Sequence, residues 1–92
     1  MDRVTLVITG HVQGVGFRWY VVEAAKALGL TGEVRNRSDS TVVIEAEGAH
    51  DALERLLEIA REGPAMATVG RVVASWSEGA ARFSGFRVGR SG

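Results

Sequence analysis

Gly10-His11-Val12-Gln13-Gly14-Val15-Gly16-Phe17-Arg18 lies where one kind of secondary structure gives way to another. Before it, Val4-Thr5-Leu6-Val7-Ile8-Thr9 is short and β-branched, which predicts a strand with Val4, Leu6 and Ile8 on one face. After it, Phe17, Val21, Ala24 and Leu28 recur at spacings of four, three and four, the signature of one helix face. Gly10, Gly14 and Gly16 let the backbone between them turn tightly and bring its N–H groups near a ligand. Arg18 then falls in the first helical turn, where the helix dipole already places partial positive charge. An anion removes that conflict, because amides, dipole and guanidinium all point at it. The stretch therefore reads as a phosphate-sized anion site between a strand and a helix.

Working outward, Gly29 is expected to cap the first helix and Gly32 to loosen the link after it. Glu33-Val34-Arg35-Asn36-Arg37 reads as a second strand and Ser38-Asp39-Ser40 as a turn. Thr41–Glu47 follows as a third strand, with Val42, Ile44 and Ala46 on one face and Val43, Glu45 and Glu47 on the other. The short link makes the two strands a hairpin. Beyond Gly48, the residues Leu53, Leu56, Leu57 and Ala60 mark a second amphipathic helix, with Asp51 and Arg55 paired on its outer face and Gly63-Pro64 at its end. A loop through Gly70 leads to a fourth strand, Arg71–Trp76. Phe83–Val88 is expected as a short edge strand, and the tail from Gly89 to Gly92 is expected to fray. The order βαββαβ plus a short terminal strand is the ferredoxin-like split βαβ arrangement, an α+β sandwich with both helices on one face of a mainly antiparallel sheet.

The 92 residues suit one domain, 1–92, with one small core, and 46% hydrophobic content is ordinary for a globular chain. Eleven basic and eleven acidic residues cancel, which argues against broad electrostatic binding of nucleic acid or an anionic membrane. With no cysteine there is no disulfide, thiolate or cysteine–metal chemistry, and His11 and His50 do not cluster as metal ligands. No apolar run approaches the roughly 20 residues of a membrane span. The N-terminus lacks a signal-peptide pattern, so a complete, cytoplasmic, monomeric protein is the default expectation. Ten of the eleven cations are arginine, and Gln13 and Asn36 are the chain's single glutamine and single asparagine. Amide poverty accompanies thermophily, and equally follows from genome base composition.

At this point the chain resembles the acylphosphatase family. The resemblance rests on Gly10 through Arg18, then Ala25, Leu28-Gly29-Leu30, Gly32, Val34-Arg35-Asn36, Asp39, Val42, Gly48 and Gly63-Pro64, and it covers nearly the whole chain. The family's hairpin turn usually reads Asp-Gly where this chain has Asp39-Ser40, so a left-handed turn there would be strained. The resemblance implies hydrolysis of a small acyl phosphate to carboxylate and inorganic phosphate, without metal, cofactor or covalent intermediate. It implies that amides of Gln13, Gly14, Val15, Gly16, Phe17 and Arg18 bind the phosphoryl oxygens, that the Arg18 side chain holds the same group, and that Asn36 orients the attacking water.

The chemistry is coherent on its own terms. The leaving group is a carboxylate, whose conjugate acid has a pKa of roughly 4, so it departs at neutral pH without a general acid. What remains is to neutralise the phosphoryl oxygens and to place one water in line. Taken singly, each residue has a plainer reading: Arg18 as a surface arginine, the glycine loop as an ordinary connection, Asn36 as a strand end. Gln13 is expected to hold the loop's shape, His11 to face solvent, His50 to flank the second helix, and Arg35 and Arg37 to be solvated strand residues. Phe17, Trp76, Phe83 and Phe86 are expected as core or sheet-packing aromatics. Two other functions compete. One is a non-catalytic or carbamoyl-phosphate-handling module, as found inside larger hydrogenase-maturation proteins. The other is an RNA-binding module, disfavoured because Thr41–Glu47 offers no aromatic for stacking and carries two glutamates.

Overall fold

Period-two alternation along the first ten residues buries Val4, Leu6 and Ile8 completely and makes their strand a core strand of the sheet. In the computed structural model, which describes residues 1–92, the elements are β1 (Asp2–His11), α1 (Phe17–Ala27), β2 (Thr31–Asn36), β3 (Val42–Gly48), α2 (His50–Glu62), β4 (Thr68–Glu78) and β5 (Phe86–Val88). The five strands lie in the order β4-β1-β3-β2-β5. All neighbours run antiparallel except β5, which pairs parallel with β2. This is the expected ferredoxin-like α+β arrangement. No helix is long and apolar enough to cross a membrane.

Both helices cover the same face. Helix α1 packs on β2 and β5, and α2 on β1, β3 and β4. Phe17, Val21, Val22 and Ala25 are the buried residues of α1, with Leu53, Leu56 and Ala60 their counterparts in α2. The burial of Val22 and Ala25 rotates the apolar stripe of α1 away from the Ala24–Leu28 line that spacing alone predicts, and Ala24 and Leu28 pack at its margin. The Tyr20 hydroxyl donates to the Ile59 carbonyl at 3.0 Å and links the two helices.

Several boundaries differ from expectation. Strand β2 begins at Thr31, so Gly32 is inside the sheet rather than in a link. A side chain there would collide with the Glu45 carbonyl and come within 2.9 Å of the Phe86 ring, which is why the position demands glycine. Strand β4 runs from Thr68 to Glu78, longer at both ends than its apolar segment, because β1 pairs along its whole length. Strand β5 is limited to Phe86–Val88, and Phe83 is only half-buried. Trp76 lies on the helix-covered face but at its rim, 42% exposed, with its ring centroid 4.7 Å from that of His50. The tail does not fray: the amides of Gly89 and Gly92 donate to the carbonyls of Val34 and Asn36, carrying the chain along the edge of β2.

Glu47 also departs from the outward-facing placement that alternation gives it. It is 1% exposed, beneath the connection from β4 to β5. Arg3 donates two hydrogen bonds to its Oε2 at 3.1 and 2.8 Å, and the amides of Arg82 and Phe83 donate to its Oε1 at 3.0 and 3.1 Å. Burial alone raises the pKa of this carboxyl, but the Arg3 guanidinium and the two amides outweigh it and hold the group below the ordinary glutamate value. The folded-state pKa is depressed, so the stabilisation is present above the unfolded value and is lost as pH falls through the folded one. In the β2–β3 turn, Asp39 Oδ1 accepts from the Thr41 amide and hydroxyl, and Ser40 has a φ of 74°, the chain's one non-glycine residue in the left-handed region.

Two outcomes follow. Ser40→Gly removes the left-handed strain and is expected to stabilise the fold by about 0.5–1 kcal/mol, read as a rise of about 3–6 °C in a thermal melt. Glu47→Gln leaves Arg3 without its counter-charge and is expected to destabilise by about 2–4 kcal/mol at neutral pH. The gap to wild type should narrow as pH falls below about 4; a gap that stays constant in acid denaturation would falsify this role for the carboxylate.

Candidate active site

The loop between β1 and α1 is shaped by its glycines. Gly14 and Gly16 have φ values of 73° and 78°, while Val15 between them keeps a negative φ. Alternation of hand turns successive amides toward one concave point. A Cβ at either glycine would meet nothing within 4 Å, so the requirement is on backbone conformation and not on space. Gly16 is also the N-cap of α1 and offers no side-chain cap. The first-turn amides of the helix therefore join those of the loop. From Gln13 through Trp19 no backbone N–H donates to any group of the chain. Such a run of donors is open to water or to a bound anion.

Arg18 stands in this run. The first turn of α1 contains no acidic residue, and Arg18 enters none of the chain's ion pairs. Its side chain lines a cleft of about 370 Å³ together with Gly14, Gly16 and Phe17. The remaining lining is apolar: Val12, Trp19 and Val88. Positive charge, free amides and helix dipole thus converge on one wall of the cleft.

Gln13 contributes through its side chain. Its Nε2 donates to the carbonyls of Arg37 at 2.8 Å and Thr41 at 2.9 Å, the two residues that flank the β2–β3 turn. The loop is thereby fastened to the end of the strand that carries Asn36. Register places Asn36 opposite Val42, and Val42 opposite Ile8, in one row across the sheet. Ile8 and Val42 are fully buried under the helices, so Asn36 points to that same face, at the end of the sheet from which the loop departs. It does not line the cleft wall itself. Its Oδ1 is buried without a hydrogen-bond partner, whereas its Nδ2 is open. Rotating the amide by half a turn exchanges the two ends and presents the acceptor at the open position. Val15 packs against the core margin, and His11 is exposed at the end of β1, as expected. Arg35 pairs with Val43 and lies on the face away from the helices, while Arg37 follows the strand. No three His, Asp or Glu side chains are placed to hold a metal ion.

Sequence patterning did not single out Trp19 or Val88. A hint exists for Trp19, which lies two residues from Phe17 and hence off the buried stripe of α1, where a large apolar residue has no packing role. Val88 joins the cleft only because β5 pairs parallel with β2, which no local pattern reveals.

Fold and cleft together define a small α+β protein of the ferredoxin-like class whose unpaired donors collect where the first strand enters the first helix. The family model described as Acylphosphatase matches residues 4–88. An acylphosphatase of Salinibacter ruber is 53% identical over 88 residues, an alignment covering 96% of this chain and 93% of that one. The crystal structure of acylphosphatase from Bacillus subtilis superposes with a TM-score of 0.94 at 32% identity, covering 98% of this chain and 100% of that chain. A full-length HypF solved in a phosphate- and nucleotide-bound form superposes with a TM-score of 0.86 at 29% identity, covering 99% of this chain but 12% of that one. The chain belongs to the acylphosphatase family of enzymes.

Gln13→Ala removes the two hydrogen bonds that fasten the loop to the hairpin. It is expected to destabilise the fold by about 1–2 kcal/mol and to speed amide exchange at Arg37 and Ser40, whose N–H groups close the hairpin turn, measurable by hydrogen–deuterium exchange.

Proposed function

We propose that catalysis proceeds by in-line attack of a water, oriented by Asn36, on a phosphoryl group held by the amides of Gln13, Gly14, Val15, Gly16, Phe17 and Arg18 and by the Arg18 guanidinium. The observation that carries this reading is the uninterrupted run of partnerless amides around a cation with no acid to neutralise it. Together these donors match the phosphoryl oxygens, which carry the charge in a loose transition state. The water oxygen bonds to phosphorus as the bond to the acyl oxygen breaks, and the electron pair leaves with the carboxylate. A phosphoryl oxygen takes the water's proton. With its amide rotated, Asn36 Oδ1 accepts a hydrogen bond from the water and so aims an oxygen lone pair at phosphorus. No strong base is needed, because a carboxylate is a good leaving group.

Turnover of acetyl phosphate or benzoyl phosphate is expected to persist in the presence of a chelator. Arg18→Gln and Asn36→Ala are each expected to lower kcat/KM by about 10²–10³-fold. Wild-type rates in both variants would overturn the assignment. Inclusion of carbamoyl phosphate addresses the alternative of an accessory module: turnover of acetyl and benzoyl phosphate supports the stand-alone reading, and binding of phosphate without any turnover supports a non-catalytic one.

A further inference from the structure

The cleft is larger than a phosphoryl group requires, and its walls differ in chemistry. Gly14, Gly16 and Arg18 supply donors and charge; Val12, Trp19 and Val88 supply apolar surface. At about 370 Å³ the space suits a whole small molecule and not an inorganic ion alone. Trp19 is 64% exposed and Val88 41% exposed. Among the other large apolar side chains left exposed, Met1, Met66, Val73 and Trp76 lie outside this cleft, so the pairing of Trp19 with Val88 is local to it. Neither residue is needed by the core: Trp19 leaves the buried face of α1, and Val88 ends a three-residue edge strand. The two come from opposite ends of the chain and meet beside Arg18.

We propose that Trp19 and Val88 form the acyl-side wall of the site and select acyl phosphates with an apolar acyl group, an aromatic ring above all. This rests on the proposed phosphoryl cradle, because the donors on one side fix which end of the substrate faces the indole. An acyl phosphate with an apolar acyl group is itself two-sided, with a dianionic head and a body that carries no charge. A head bound by Gly14, Gly16 and Arg18 leaves the body over the apolar wall. There a planar ring stacks on the indole and excludes water from it. A methyl group covers little of that surface and gains little from it.

The test compares benzoyl phosphate with acetyl phosphate in wild type, Trp19→Ala, Trp19→Phe and Val88→Ser. The quantity read is the ratio of kcat/KM values, benzoyl over acetyl, in each variant relative to wild type, so that the different intrinsic reactivities of the two anhydrides cancel. Trp19→Ala is expected to lower the ratio about three- to tenfold, with most of the change in KM for benzoyl phosphate. Trp19→Phe should restore most of it, and Val88→Ser should lower it in the same direction. Because Trp19 is largely exposed, its two variants are expected to melt as wild type does. A ratio that stays at the wild-type value in Trp19→Ala and Val88→Ser, or a fall of equal size for both substrates, overturns the proposal. Competitive inhibition by inorganic phosphate reads the cradle separately. If phosphate competes while the ratio does not move, the wall alone is wrong; if phosphate fails to compete in wild type, the cradle is wrong and the wall loses its anchor.

Discussion

The first amides of any helix lack an intrahelical acceptor, and here the glycine loop extends that run without a break from Gln13 through Trp19, in one turn. The arrangement is held open against the chain's own tendency to satisfy it. Left-handed glycines at 14 and 16 set the curvature, the N-cap of α1 brings no side chain that could fold back, and the first turn brings no carboxylate. An acid at any of these places would quench the local positive potential from within. The site is therefore defined as much by the acids and caps that are missing as by Arg18.

Two polar ties hold the surroundings in place, and they act at opposite ends of the sheet. At the loop end, the Gln13 amide bridges the carbonyls of Arg37 and Thr41, coupling the β1–α1 loop to the hairpin that carries Asn36. At the far end, Glu47 gathers Arg3 and the amides of Arg82 and Phe83, which fixes the course of the chain into β5 and so the position of Val88. Each tie places a polar group under cover with its partners supplied, the condition under which burial of such a group is tolerated. Neither the Gln13 side chain nor Glu47 needs to touch a substrate to matter for the geometry of the cleft.

Much of this was legible in the amino-acid sequence, and the exceptions share a cause. Strand and helix identities followed from period-two and period-3.6 patterns, and the loop announced itself through glycine spacing beside an arginine in an unfavourable electrostatic position. Ser40 occupies the left-handed conformation that its place in the hairpin demands, where glycine would be relaxed. What eluded pattern reading depends on partners distant in the chain. Gly32 is in the sheet because of Phe86 and the Glu45 carbonyl; Glu47 is buried because residues 80–83 fold across it. Val88 reaches the cleft through a parallel pairing, and Trp76 sits at a rim beside His50, where α2 begins. Periodicity reports which face a residue occupies and is silent on what later covers that face.

The sheet order has a bearing on how the molecule comes into being. Strand β1 is made first, yet its two neighbours are β3 and β4, and β2 gains its outer neighbour only from β5. A nascent chain emerging from the ribosome can form α1 early, but the strand before it has nothing to pair with until residues 42–48 appear, and its other side stays bare until residues 68–78 do. Contacts so far apart in sequence carry a loop-closure penalty that local helix contacts escape. Assembly is thus deferred until β4 has been made, and a product that stops short of it would display an unpaired apolar strand to whatever lies nearby.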